Sequence, residues 1–186
     1  MIRLEPFGNK DFKHLIDWIT DAEILRDWSG SMFRFPLTED SLEWYIRGTN
    51  DLANSDALVY KAVDDTGEMV GHISLGGISR KNRSARVTRV LVGNRAGHGK
   101  GICQQMVRAV LQIGFEELEL HRISLGVYDN NPAATRCYEK TGFIIEGINR
   151  DILWHKNAWY SMIEMSILEN EWKNLFKSPG QATGIE

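Results

Sequence analysis

The chain has 186 residues, 42% of them hydrophobic, which is enough for one domain with a buried core. A formal net charge of −3 argues against a general polyanion binder, and no apolar run approaches membrane-spanning length, so no membrane partner is expected. Two cysteines, Cys103 and Cys137, suggest no disulfide framework, and Met-Ile-Arg-Leu-Glu-Pro at the start has no signal-peptide core. The expectation is therefore a cytoplasmic protein in a reducing compartment, without Cys/His spacing that suits a metal.

Periodicity sets the elements in order. Residues 2–6 read as a short strand. Residues 11–20 put Phe12, Leu15, Ile16 and Ile19 on one helical face, and residues 21–28 add a further helical turn or two. A loop at 29–37 contains Pro36. Thr38 then caps a helix whose apolar face is Leu42, Tyr45 and Ile46. A strand at 57–63, a hairpin turn at Asp64-Asp65-Thr66-Gly67, and strands at 69–78 and 85–92 follow. Residues 101–118 are an amphipathic helix on Ile102, Met106, Val110 and Ile113. After a strand at 123–127, Pro132 opens a helix that Gly142 ends. Residues 143–154 and 159–168 form two long strands. Alternating strands and helices of this kind predict an α/β (α+β) fold, a mixed sheet flanked by helices. Residues 1–176 form one domain, and 177–186 have the composition of a disordered tail.

The loop between the strand at 85–92 and the next helix carries glycines at 97, 99 and 101. Glycine permits positive φ and close approach to a ligand. The first turn of a helix offers unpaired N–H groups and a positive dipole end, a natural phosphate cradle. Lys100 is followed by Gly101 rather than Ser or Thr, so the loop is no P-loop, and G-x-G-x-G is not the dinucleotide fingerprint. Two readings remain: another phosphate-bearing cofactor, or a turn that only joins strand to helix. Charge favours the first. Between Met69 and Phe115 there is no Asp or Glu, but eight Lys and Arg residues, Arg86 and Arg89 among them. Residues 1–68 are acidic, with 14 acids against 7 bases. An anion bound at the basic loop and a cation arriving from the acidic part would suit this asymmetry. Nucleic-acid binding by the basic stretch at 80–100 is the other use of such charge, disfavoured because no aromatic residues are interleaved.

A second segment completes a pattern: Asn131, Ala134 and Tyr138, followed by Gly142-Phe143. With His98-Gly99-Lys100-Gly101-Ile102-Cys103, these residues resemble the two motifs of the GNAT N-acetyltransferases. Ile2-Arg-Leu-Glu-Pro6, Glu146-Gly147, Arg150-Asp151, Trp159 and Glu171-Trp172 resemble the ribosomal-protein alanine N-acetyltransferase-like group. The resemblance spans residues 2–172. It implies a mostly antiparallel sheet of about seven strands with about four helices, and acetyl-CoA as cofactor. It implies cofactor contacts at Val90, Leu91, Val92, His98, Gly99, Lys100, Gly101, Ile102, Cys103 and Asn131. Asn131 also suits a helix cap. Tyr138 would protonate the departing thiolate, or serve as a buried packing aromatic. Relatives often carry Glu in the fourth strand where this chain has Arg86, which cannot act as a base. His72 is the candidate base in the right pKa range, or a plain strand histidine.

The acceptor expected is a small amine or a protein N-terminus, in a cleft drawn from Trp28, Arg34, Trp44, Trp154 and Trp159, with Asp27, Asp40 and Glu43 nearby. Arg86 and Arg89 lie three apart on one strand, so alternation predicts opposite faces and at most one in the cleft. A non-catalytic acyl-CoA-binding module stays open as an alternative, as does a homodimer.

Overall fold

The computed structural model describes residues 1–93 and 101–176. His98, Gly99 and Lys100, and the tail at 177–186, lie outside the described residues.

Seven strands form one sheet in the order β1-β2-β3-β4-β5-β7-β6. They are β1 (Arg3–Pro6), β2 (Leu58–Val63), β3 (Met69–Ser79), β4 (Ser84–Val92), β5 (Arg122–Tyr128), β6 (Ile144–His155) and β7 (Ala158–Leu168). All pairings are antiparallel except β4 with β5. The described helices are α1 (Phe12–Trp18), α2 (Ala22–Ser29), α3 (Glu39–Ile46), α4 (Ile102–Gln112), α5 (Pro132–Glu139) and α6 (Glu169–Phe176). The mixed sheet agrees with the sequence reading. The six helices exceed the expected four by the separate α2 and by α6, a terminal helix that the periodicity did not mark.

Alternation along each strand builds two cores. Leu58, Tyr60 and Ala62 join Ile73, Leu75, Met106 and Val110 beneath α4. Val59 turns the other way, to Leu15, Trp28, Leu42 and Tyr45 of α1–α3. Burial on both faces explains why β2 is almost uniformly apolar. Helix starts follow local chemistry. Asp21 Oδ1 accepts from the N–H groups of Glu23 and Ile24 at 2.9 Å each, and Thr38 Oγ1 from Ser41 N–H at 3.3 Å. Asn131 Oδ1 accepts from Ala134 N–H at 3.1 Å ahead of Pro132. The helix expected to reach residue 118 ends its α portion at Gln112 and passes through a π turn at Ile113–Glu117. That turn puts Phe115 against Trp172 of α6, rings 5.6 Å apart.

Two features of β4 create the site. It pairs with β5 only over Ser84–Arg86 against Arg122–Ser124; beyond that the strands part. At Arg89 it bulges: the register against β3 shifts between His72 and Ser74, and Arg89 has φ +52°. Cys103 of α4 and Cys137 of α5 are joined as a disulfide, with Cα atoms 6.5 Å apart. This corrects the expectation of two unpaired cysteines. Residues 34 apart in sequence gave no spacing cue, and only the packing of α4 on α5 brings them together. The reducing compartment inferred from unpaired thiols loses that support. No helix among the described residues is long and apolar enough to cross a membrane.

Candidate active site

The parting of β4 from β5 opens a cavity of about 950 Å³. Its walls are Arg86–Val92, Leu125–Tyr128, the start of α4 at Gly101–Gln104, and α5 with the turn before it. The end of α2 at Asp27–Gly30 and Met162 of β7 close the far side. Of the residues expected to touch the cofactor, Val90, Leu91, Val92, Gly101, Ile102, Cys103 and Asn131 all line this one space. Gly101 is the N-cap of α4 at φ +68°, a left-handed conformation that glycine takes without strain. Beyond it the first N–H groups of α4 lack intrahelical acceptors, as at any helix start. Asn131 both caps α5 and lines the cavity.

Tyr138 also lines the cavity. Its ring packs on Phe143, with centroids 6.1 Å apart, and burial pushes its pKa up to about 12. A phenol in that setting stays protonated, so it can donate a proton. His72 is placed differently. It is fully buried, outside the cavity lining, among the rings of Phe7, Trp28 and Tyr45. Burial lowers its pKa to about 4, against an opposing hydrogen bond from the ring to the Arg89 carbonyl and with a smaller push from the Arg89 charge. Its Nδ1 hydrogen-bonds the carbonyl of Arg89 at 3.0 Å, and Trp28 Nε1 donates to the same carbonyl at 3.0 Å. The bulge is thus held from behind by two ring nitrogens that the sequence did not link to it.

Arg86 and Arg89 both line the cavity, which corrects the expectation that only one could. The bulge breaks the alternation, so Arg89 follows Thr88 onto the same face, where its Nη1 donates to Thr88 Oγ1 at 3.0 Å. Arg86 forms a two-pronged ion pair with Glu164 of β7, at 2.8 and 3.1 Å. To reach it the guanidinium crosses β5 at Gly126, where a Cβ would collide with Arg86 Nη2 and Met162 Sδ. Glu164 also accepts from Asn149 Nδ2 at 3.3 Å. A strand glycine and the one charged residue of β7 are the sequence signals for this crossing.

The expected acceptor-side residues divide. Trp28 is core. Trp44, Trp154 and Trp159 are more than half exposed, and the last two pack together at 5.0 Å near the β6–β7 turn. Lys156 in that turn pairs with Glu23 of α2, tying the hairpin to that helix. Asp27 is engaged by Arg26 at 2.6 Å. Arg136 and Lys140 of α5, which the motifs did not mark, add positive charge to the cavity wall.

A strand bulge, a helix start and a buried phenol thus share one cavity where the sheet parts. Residues 2–144 match the family model for the acetyltransferase (GNAT) domain, and the chain belongs to this acetyltransferase family, whose members use acetyl-CoA. The chain is 29% identical to the SPbeta prophage-derived uncharacterized N-acetyltransferase YokL of Bacillus subtilis, covering 82% of each protein. It is 23% identical to a spermidine N(1)-acetyltransferase of Escherichia coli, over 97% of this chain and 92% of the relative. A crystal structure of spermidine N-acetyltransferase from Vibrio cholerae with CoA and spermine superposes with a TM-score of 0.79. It shares 22% identity and covers 92% of this chain and 97% of its own. Similarity on this scale fixes the family and leaves the subfamily open.

Proposed function

We propose that this protein transfers an acetyl group from acetyl-CoA directly to a primary amine, either a small molecule or a peptide N-terminus. The observation that carries the reading is the juxtaposition of the Arg89 bulge, the Gly101 opening of α4 and Tyr138 in one cavity. In this reading His98–Cys103 and Asn131 hold the cofactor's phosphates, helped by Arg136 and Lys140. The backbone of Val90–Val92, free of β5, binds the pantetheine arm and polarises the acyl oxygen. Acetyl-CoA supplies the acyl group as a thioester. Tyr138 gives its proton to the sulfur that leaves. His72, neutral and enclosed, supports the bulge carbonyl; the proton lost by the attacking amine passes to solvent water, and the Tyr138 phenol is reprotonated from the same solvent. Placing both reactants in one cleft supplies much of the rate, up to ~7–11 kcal/mol. The alanine acetyltransferase-like resemblance supports a peptide N-terminus as acceptor, while the spermidine acetyltransferase relative supports a small amine.

The test is an acetyl-CoA turnover screen over peptides, amino acids, aminoglycosides and polyamines. Acetylation of any amine supports the proposal. Tight CoA binding with no acetylation across the panel would replace it with an acyl-CoA-binding role.

A further inference from the structure

Arg89 has no carboxylate partner among the described residues. Its Nη1 is spent on the Thr88 hydroxyl, its Nη2 on the thioether of Met32 at 3.0 Å, and its Nε is buried with no hydrogen-bond partner. The guanidinium lies over the Tyr45 ring, 5.0 Å from its centroid. A thioether is a weak acceptor, so most of the fork's five donors are poorly used. Acids of α2 and β7 are already taken: Asp27 by Arg26, Glu164 by Arg86, Glu23 by Lys156. A half-buried cation without a counter-charge is costly unless something pairs with it. Its backbone is also strained, since a long side chain at φ +52° is uncommon and such residues concentrate at functional sites. Arg89 sits at the bulge itself, between Met32 and Thr88, and lines the cavity.

We infer that Arg89 is a specificity-determining residue that binds a carboxylate on the acceptor, so that the preferred substrate is an amine carrying a carboxylate, such as a free amino acid. The planar guanidinium matches a carboxylate's two oxygens, and the Tyr45 face holds the fork in place. Arg86 is neutralised by Glu164, and Arg89 is the cavity-lining arginine of β4 left without a carboxylate among the described residues. A polycation meets repulsion there, and a peptide N-terminus offers no carboxylate near its amine.

This inference rests on the acetyltransfer reading and narrows it. Its test compares kcat/KM for an amino acid, the same amino acid as its C-terminal amide, and spermidine, each at equal concentration of neutral amine. Wild type should favour the acid over the amide by about 10- to 100-fold, the range of a charged hydrogen bond, with spermidine lowest. Arg89→Gln should bring the acid-to-amide ratio near one, chiefly through KM, and Arg89→Lys should give an intermediate ratio. Calorimetry of an N-acetylated amino acid and its methyl amide, with CoA present, reads the same preference without turnover. Equal handling of acid and amide by the wild type, a preference for spermidine, or a ratio that survives in Arg89→Gln would overturn the inference while leaving acetyltransfer standing. Absence of acetylation on every amine, with the calorimetric preference intact, would instead overturn acetyltransfer alone.

Discussion

Two side chains singled out by chemistry take opposite parts in the structure. Tyr138 faces the cavity as a protonated phenol. Tyr138→Phe keeps the ring against Phe143 and removes only the proton donor. Its kcat should fall by ~10²–10⁴-fold while CoA affinity stays close to wild type, measured by steady-state kinetics and calorimetry. His72 was attractive because of its intrinsic pKa, and burial removes that attraction. The consequence is thermodynamic. Its folded pKa, about 4, lies below the unfolded value near 6.5, so the folded state favours the neutral ring. The stability this contributes is fully present above pH 6.5 and is lost as pH falls through 4. The span is on the order of 3 kcal/mol. Denaturant titrations from pH 7 to 4 should show wild type losing stability faster than His72→Asn over that window; parallel curves would remove the histidine from the account. Residue types were legible in the sequence, but roles were not. A period-two pattern marks His72 as a strand residue without revealing that Phe7, Trp28 and Tyr45, from three separate segments, enclose it.

At the scale of elements the sequence was read more completely. Glycine, proline and capping residues punctuate the chain where helices and strands end, as at Thr38, Asn131 and Gly142. What escaped was local departure from regularity. The bulge at Arg89 has no glycine to announce it, and it overturned an argument from alternation that was sound for a regular strand. Helix α6 was missed because a short terminal helix is held by tertiary packing, here Trp172 on Phe115, more than by its own pattern. The start of α4 gives the prediction that belongs to this scale. Among the described residues no atom lies within 4 Å of a Cβ built on Gly101, and what a substitution there changes is backbone conformation and charge. Gly101→Ala should weaken CoA binding modestly, through the ~1–2 kcal/mol cost of left-handed backbone. Gly101→Glu should abolish binding by setting an anion where phosphates are expected. Normal binding of CoA by the Glu variant in calorimetry would move the cofactor elsewhere.

Across the whole molecule the acidic flanks and basic middle translate into position. The acid-free stretch supplies β4 and α4, two walls of the cavity, while acids of α2 and β7 are spent on local ion pairs. The disulfide, invisible to composition, tests the same architecture. A bond closing 34 residues typically stabilises by ~2–4 kcal/mol. Cys103→Ser should show a loss of that size in denaturant unfolding, and wild type should yield no titratable thiol until it is reduced.

The short β4–β5 pairing has a mechanical meaning. Strands β1–β4 form one leaf and β5–β7 another, bound along a spine of three paired residues. Beyond the backbone pairing, Arg86–Glu164 and Cys103–Cys137 act as clasps, one across the sheet and one between the helices α4 and α5. The same parting that admits a ligand leaves the leaves joined by that short pairing and by the core they share beneath α4. A molecule lying between them would be a further clasp, so binding and the joining of the two leaves draw on the same cleft.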